Sequence, residues 1–168
     1  NLSTPQRQHI TQKRLDAGRR GGKKRKEERI ARSMAIRSLA AAEVGRISKR
    51  ELWLIGAMLY WAEGSKQKEH DVSAQVRFGN SDPLMLHMFR RWLTSVGVPD
   101  QHIVYSIYLH ENNKHRVEDV RRYWARMMHE PLSSFATVYW KRNKPKTNRK
   151  NIGEGYFGVL RLTIREST

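Results

Sequence analysis

Polar and apolar residues alternate along SAQVRFGN (73–80): Ala74, Val76 and Phe78 fall on one side, Ser73, Gln75 and Arg77 on the other, which predicts a half-buried strand. HIVYSIYLH (102–110) reads as a second strand. YFGVLRLTIR (156–165) reads as a third, with Leu160, Leu162 and Ile164 inward and Arg161, Thr163 and Arg165 outward. Helices separate them. Ser48-Lys49-Arg50-Glu51 is a capping box that opens a helix near Lys49, and Gly64 is a natural stop. Residues 52–62 of that helix carry no charge, so it is apolar around most of its circumference and is expected to be buried on several sides. Asp82 and Pro83 suit the cap and first turn of a second helix, whose apolar side is Leu84, Leu86, Met88, Phe89, Trp92 and Leu93. VEDVRRYWARMMH (117–129) predicts a third, and Trp61, Trp92 and Trp124 are expected in the core.

The first fifty residues follow another pattern. They hold 15 Lys and Arg against four acids and contain no Trp, Tyr or Phe. GRRGGKKRKEER (18–29) is glycine-rich and self-repelling and is expected to be flexible, whereas EERIARSMAIRSLAAAEV (27–44) is built of good helix formers. The chain therefore divides into a basic arm, 1–47, partly flexible and then helical, and a folded domain, 48–168.

Charge narrows the function. The whole chain holds 33 Lys and Arg against 16 Asp and Glu, a net +17, which favours an anionic partner, nucleic acid before anionic membrane. No apolar run is long enough to span a bilayer and no secretory leader stands at the start, so a cytoplasmic, nucleoid-associated protein without a membrane partner is expected. With no cysteine there is no disulfide, thiolate zinc site or cysteine nucleophile. His110 and His115 bracket HENNKH at a spacing that does not share one helical face, which argues against zinc. There is no phosphate-binding GxxxxGK[ST] loop and no GxGxxG.

GAMLYWAEG (56–64) resembles the nine-residue signature of the LAGLIDADG homing endonucleases: Ala57, Leu59, Ala62 and Gly64 agree, and Glu63 falls where the family's last Asp stands. The signature's inner glycine is Met58 here and its first acid is Trp61. VRFGNSDPLMLHMFRRWL (76–93) is similar to the family's following strand and helix. The resemblance implies an α+β fold, a LAGLIDADG-like mixed α/β domain with a saddle-shaped antiparallel sheet lying along double-stranded DNA. It also implies a homodimer, since the chain has one signature, with the two signature helices packed side by side. Small Gly56 and Ala57, and then Tyr60, form a stripe that would let them approach. Glu63 of each copy would then hold Mg²⁺ for phosphodiester hydrolysis, with Lys66 a candidate to stabilise the transition-state charge.

The outward strand residues Ser73, Gln75, Arg77, Ser106, Tyr108, His110, Arg161, Thr163 and Arg165 include no acid and make a candidate DNA-reading face. Arg19, Arg20, Lys23, Lys24 and Arg25 of the arm, and Lys141, Lys144, Lys146, Arg149 and Lys150 of KRNKPKTNRK (141–150), are candidate phosphate contacts. Two other readings stay open: a DNA-binding regulator that keeps the dimer without cleaving, and an RNA-binding splicing helper.

Overall fold

A computed structural model of the protein describes residues 3–65, 75–142 and 154–165, apart from the side chain of Arg7. The chain forms two compact units, 1–47 and 48–168. No helix among the described residues is long and apolar enough to cross a membrane.

The first unit is one helix, α1 (Thr4–Val44). The flexible start expected at 18–29 is helical. Pro5 lies in the first turn, Gln6 Oε1 accepts the Ser3 N–H at 2.8 Å, and Lys23–Glu27 and Lys24–Glu28 pair one turn apart. Gly45, at φ 58°, ends the helix in a conformation that favours glycine, its N–H donating to Ala41 O. No described residue of this unit is buried, so only local terms hold it helical.

The second unit is α+β. Its elements are α2 (Lys49–Glu63), β1 (Arg77–Asn80), α3 (Pro83–Ser95), β2 (Ile103–His110), α4 (Val117–Met128), β3 (Val138–Lys141) and β4 (Val159–Ile164), with 3₁₀ turns at Asp100–His102, Glu111–Arg116 and Leu132–Phe135. The four strands make one sheet in the order β1-β4-β2-β3. β4 pairs antiparallel with both β1 and β2, but β3, a strand not anticipated from the pattern, runs parallel to β2. The sheet is therefore mixed rather than antiparallel: α4 returns the chain to the starting end of β2 before β3 begins.

One sheet face is dry. Phe78, Ile103, Tyr105, Ile107, Leu109, Leu160, Leu162 and Ile164 meet Leu86, Phe89 and Leu93 of α3, Val120, Trp124 and Met128 of α4, and Phe135. The caps hold as expected: Ser48 and Glu51 close their box at α2, and Asp82 accepts the Leu84 N–H at 2.9 Å to start α3. Leu84, assigned to the apolar side, is exposed instead, because the buried stripe of α3 runs through 86, 89 and 93. Arg90 leaves α3 to pair with Asp100 at 3.1 Å and Glu130 at 2.6 Å and donates to Met128 O, tying α3 to the turn before β2 and to the end of α4. Gly158, at φ 74°, crosses so close to β2 that a Cβ would stand 2.6 Å from Tyr108 O.

α2 corrects the expectation of burial on several sides. Only Leu52 and Gly56 are buried, while Trp53, Leu54, Met58 and Trp61 are exposed, so Trp61 is not a core tryptophan. The reason is a close approach on one side. A Cβ at Gly56 would stand 1.9 Å from Cγ of Trp92, so the indole of α3 occupies the space where a side chain would be. Gly56→Ala is expected to lower stability by about 1–3 kcal/mol through overpacking. In urea unfolding the loss should shrink sharply when combined with Trp92→Leu, whereas additive losses would contradict the contact.

Burial pushes the Tyr105 phenol up to about 12, with Arg90 pulling the other way. Between the ordinary tyrosine pKa near 10 and that value the folded chain keeps a proton that the unfolded chain has lost, so this contribution to stability falls as pH rises from about 10 to 12. Spectrophotometric titration should find Tyr105 the last tyrosine to ionise, and Tyr105→Phe should remove that step and flatten the alkaline loss of stability.

Candidate nucleic-acid interface

The sheet face opposite the helices follows from strand alternation. On β4, Leu160, Leu162 and Ile164 are buried, which turns Arg161 and Thr163 the other way; on β2 the same alternation turns Val104, Ser106 and Tyr108 outward. Register assembles them in rows: Arg77 beside Thr163 beside Val104, Gly79 beside Arg161 beside Ser106, and Val159 beside Tyr108 beside Tyr139. Gln75, Arg77, Val104, Ser106, Tyr108, Tyr139, Arg161, Thr163 and Arg165 line one shallow depression across the strands. Three of the nine are arginines and none is an acid.

Its side chains are organised by each other. Arg161 donates from its guanidinium to the Tyr108 hydroxyl at 2.6 Å and lies 4.1 Å from the centre of that ring. Tyr108 stacks on Tyr139 at 4.9 Å, and Lys141 Nζ lies 6.0 Å from the Tyr108 ring centre. Arg77 donates to the Gln75 side chain at 3.4 Å. Five acids of this unit are taken up by cations outside the lining of the depression: Asp100 and Glu130 by Arg90, Glu111 by Lys114 and Arg142, Glu118 by Arg121 and Asp119 by Arg122. Such segregation leaves a positive field over a concave, half-exposed surface.

α2 reaches the edge of this face. The Gly64 backbone bridges to Phe78, the Ser65 N–H donates to Arg77 O, and the Ser65 hydroxyl donates to Gln75 O while accepting the Arg77 N–H. Glu63, the last residue of α2, is thereby carried to the outer side of β1, where the antiparallel bridge of Gly64 to Phe78 sets it toward Gly79. It is exposed, and among the described residues no hydrogen bond or ion pair takes up its carboxylate. Gly64 stops the helix in extended backbone at φ −72°, and its need for glycine is steric: a Cβ would stand 2.2 Å from the Tyr60 ring. Tyr60 stacks toward Phe89 at 6.3 Å and donates its hydroxyl to Ser65 O at 2.8 Å.

Of the expected site, Gln75, Arg77, Ser106, Tyr108, Arg161, Thr163 and Arg165 come together. Lys141 stands at the end of β3 beside them. His110 ends β2, where its Nδ1 accepts the Asn112 N–H and opens the 3₁₀ turn. Arg19, Arg20, Lys23, Lys24 and Arg25 are exposed on α1 in the other unit. Lys66, Ser73, Lys144, Lys146, Arg149 and Lys150 lie outside the described residues. Gly56 and Tyr60 do not face outward for a second chain: their side of α2 is filled by Trp92 and Phe89 of the same chain. Ala57 does lie on the open side, among Trp53, Leu54, Met58 and Trp61. Tyr139 and Val104 were missed. The β-branched and aromatic run Thr137-Val138-Tyr139-Trp140 is the signal that marks β3 and with it Tyr139. Among the described residues no group of three or more His, Asp or Glu is placed to hold a metal ion.

Comparison with protein-family models, with curated proteins and with solved structures gives no match.

Proposed function

We propose that the chain binds double-stranded DNA along the open face of its sheet and, as a homodimer joined through α2, cuts it as a homing-type endonuclease of the LAGLIDADG kind. The observation that carries the reading is the acid-free depression with Arg77, Arg161 and Arg165 on it. Arginine suits both duplex contacts, a charge for phosphates and a fork of donors for guanine edges, and Gln75 adds the pairing that suits adenine. In this reading the sheet is the saddle.

The dimer is supported by the other side of α2. Trp53, Leu54, Met58 and Trp61 expose an apolar stripe around Ala57, a residue small enough for a second helix to come near. A twofold contact there would bring two copies of Glu63 toward one axis, each beside the reading face of its own sheet. Two carboxylates at close range repel, and a bound cation relieves that repulsion. Magnesium fits such a site, because it takes hard oxygens from one or two carboxylates and completes its shell with phosphate oxygens and water. When bound it supplies an activated water and stabilises the leaving oxygen. The chain's own part is positional: Arg77 and Gln75 hold the backbone beside Glu63, and Arg161 and Arg165 fix the register of the duplex.

A second reading is favoured by Trp61, which occupies the place of the signature's first acid and leaves one carboxylate per chain at this helix end. A regulator would bind and not cut.

Leu54 lies more than two turns from Glu63 on the exposed stripe, so Leu54→Glu should convert a dimer seen by sedimentation into a folded monomer; an unchanged dimer removes α2 from the contact. Wild type with Mg²⁺ and a library of long duplexes should yield defined fragments, and Glu63→Gln should reduce cutting by at least about a hundredfold with duplex affinity intact. Binding without nicking by wild type in Mg²⁺ and Mn²⁺ would establish the regulator.

A further inference from the structure

The β3 side of the open face carries an arrangement that duplex recognition alone leaves unused. Strand order places Tyr108 on β2 between Arg161 on β4 and Tyr139 on β3. The guanidinium lies 4.1 Å from one ring, that ring lies 4.9 Å from the next at an interplanar angle of 20°, and Tyr139 is 50% exposed at the sheet edge. The result is a cation–ring–ring column with its last ring half in water. Lys141, two residues further along the same strand and on the same face, brings a second cation to 6.0 Å from the centre of the Tyr108 ring.

A fixed ring with an open face and cations beside it is the chemistry that holds an unstacked nucleobase with its phosphate. The aromatic pair is already immobilised by Arg161, so little side-chain freedom remains to be lost when a base is added. A fully paired duplex offers no such partner, because its base faces are covered by one another. Resting on the DNA-binding reading above, we infer that Tyr139 is a stacking platform for one unpaired nucleotide, so that the preferred ligand is a duplex carrying a base out of the helix at the β3 end of the face. Arg161 and Tyr108 act as positioning residues that hold the platform flat.

The test uses the full chain and two DNAs of one sequence, a fully paired duplex and the same duplex with a single extra unpaired nucleotide, in about 0.2 M salt to suppress non-specific contacts. Wild type should bind the second about ten-fold more tightly. Tyr139→Ala should lose that difference between the two DNAs, whatever it costs in affinity for the paired duplex, while Tyr139→Phe should keep it. With 2-aminopurine as the unpaired base, binding of wild type should quench its fluorescence, a readout that does not depend on any variant folding. Equal affinity for the two DNAs together with unquenched 2-aminopurine overturns the platform and leaves the duplex reading standing. Failure to bind either DNA overturns both.

Discussion

The approach of α2 to α3 at Gly56 is the constraint on which the arrangement of the candidate site depends. The indole of Trp92 fills the volume that any side chain at 56 would need, and Tyr60, one turn on, leans on Phe89. These two contacts fix the roll of α2 about its axis. Fixed roll decides which residues point away, and those are Trp53, Leu54, Met58 and Trp61. It also decides where the helix ends, since the Tyr60 ring occupies the space that a Cβ at 64 would take, and Ser65 then pairs with Arg77. A local packing event thus sets both the exposed stripe and the place of Glu63 beside β1.

Charge is sorted on the same principle. The helices cover one face of the sheet with a dry core, and Arg90 draws Asp100 and Glu130 together on the helical side. The opposite face keeps its arginines unneutralised by any acid among its lining residues. In the proposed DNA-binding reading, the acids paired on the helical side are kept from repelling phosphate on this face, and the ion pairs would matter more for the field they leave behind than for the stability they add.

Much of this was legible in the sequence because alternation and caps are local. The outward set Gln75, Arg77, Ser106, Tyr108, Arg161, Thr163 and Arg165 follows from period-two patterning, and Ser48 and Asp82 mark two helix starts to the residue. What failed was non-local. Apolar residues all round α2 could not say which would find a partner in the chain, so Gly56 and Tyr60 were assigned to a second subunit and Trp61 to the core. β3 was missed because a four-residue parallel edge strand is defined by its pairing with β2 more than by its own pattern. Glycines at 18, 21 and 22 suggested a break in α1 that the helix passes through.

The proposed dimer and the proposed ligand are energetically linked. Each chain carries a net +17, so two copies meeting at α2 work against like-charge repulsion that the apolar stripe alone must overcome. Phosphates lying on the two sheet faces would cancel part of that charge, and release of their condensed counterions would add a driving force that grows as salt falls. Binding that favours the dimer over the monomer must, by linkage, make self-association tighter in the presence of duplex than in its absence. In the proposed reading, a dimer weak in isolation and firmer on DNA would be two faces of one balance between a small apolar contact and a large unneutralised charge.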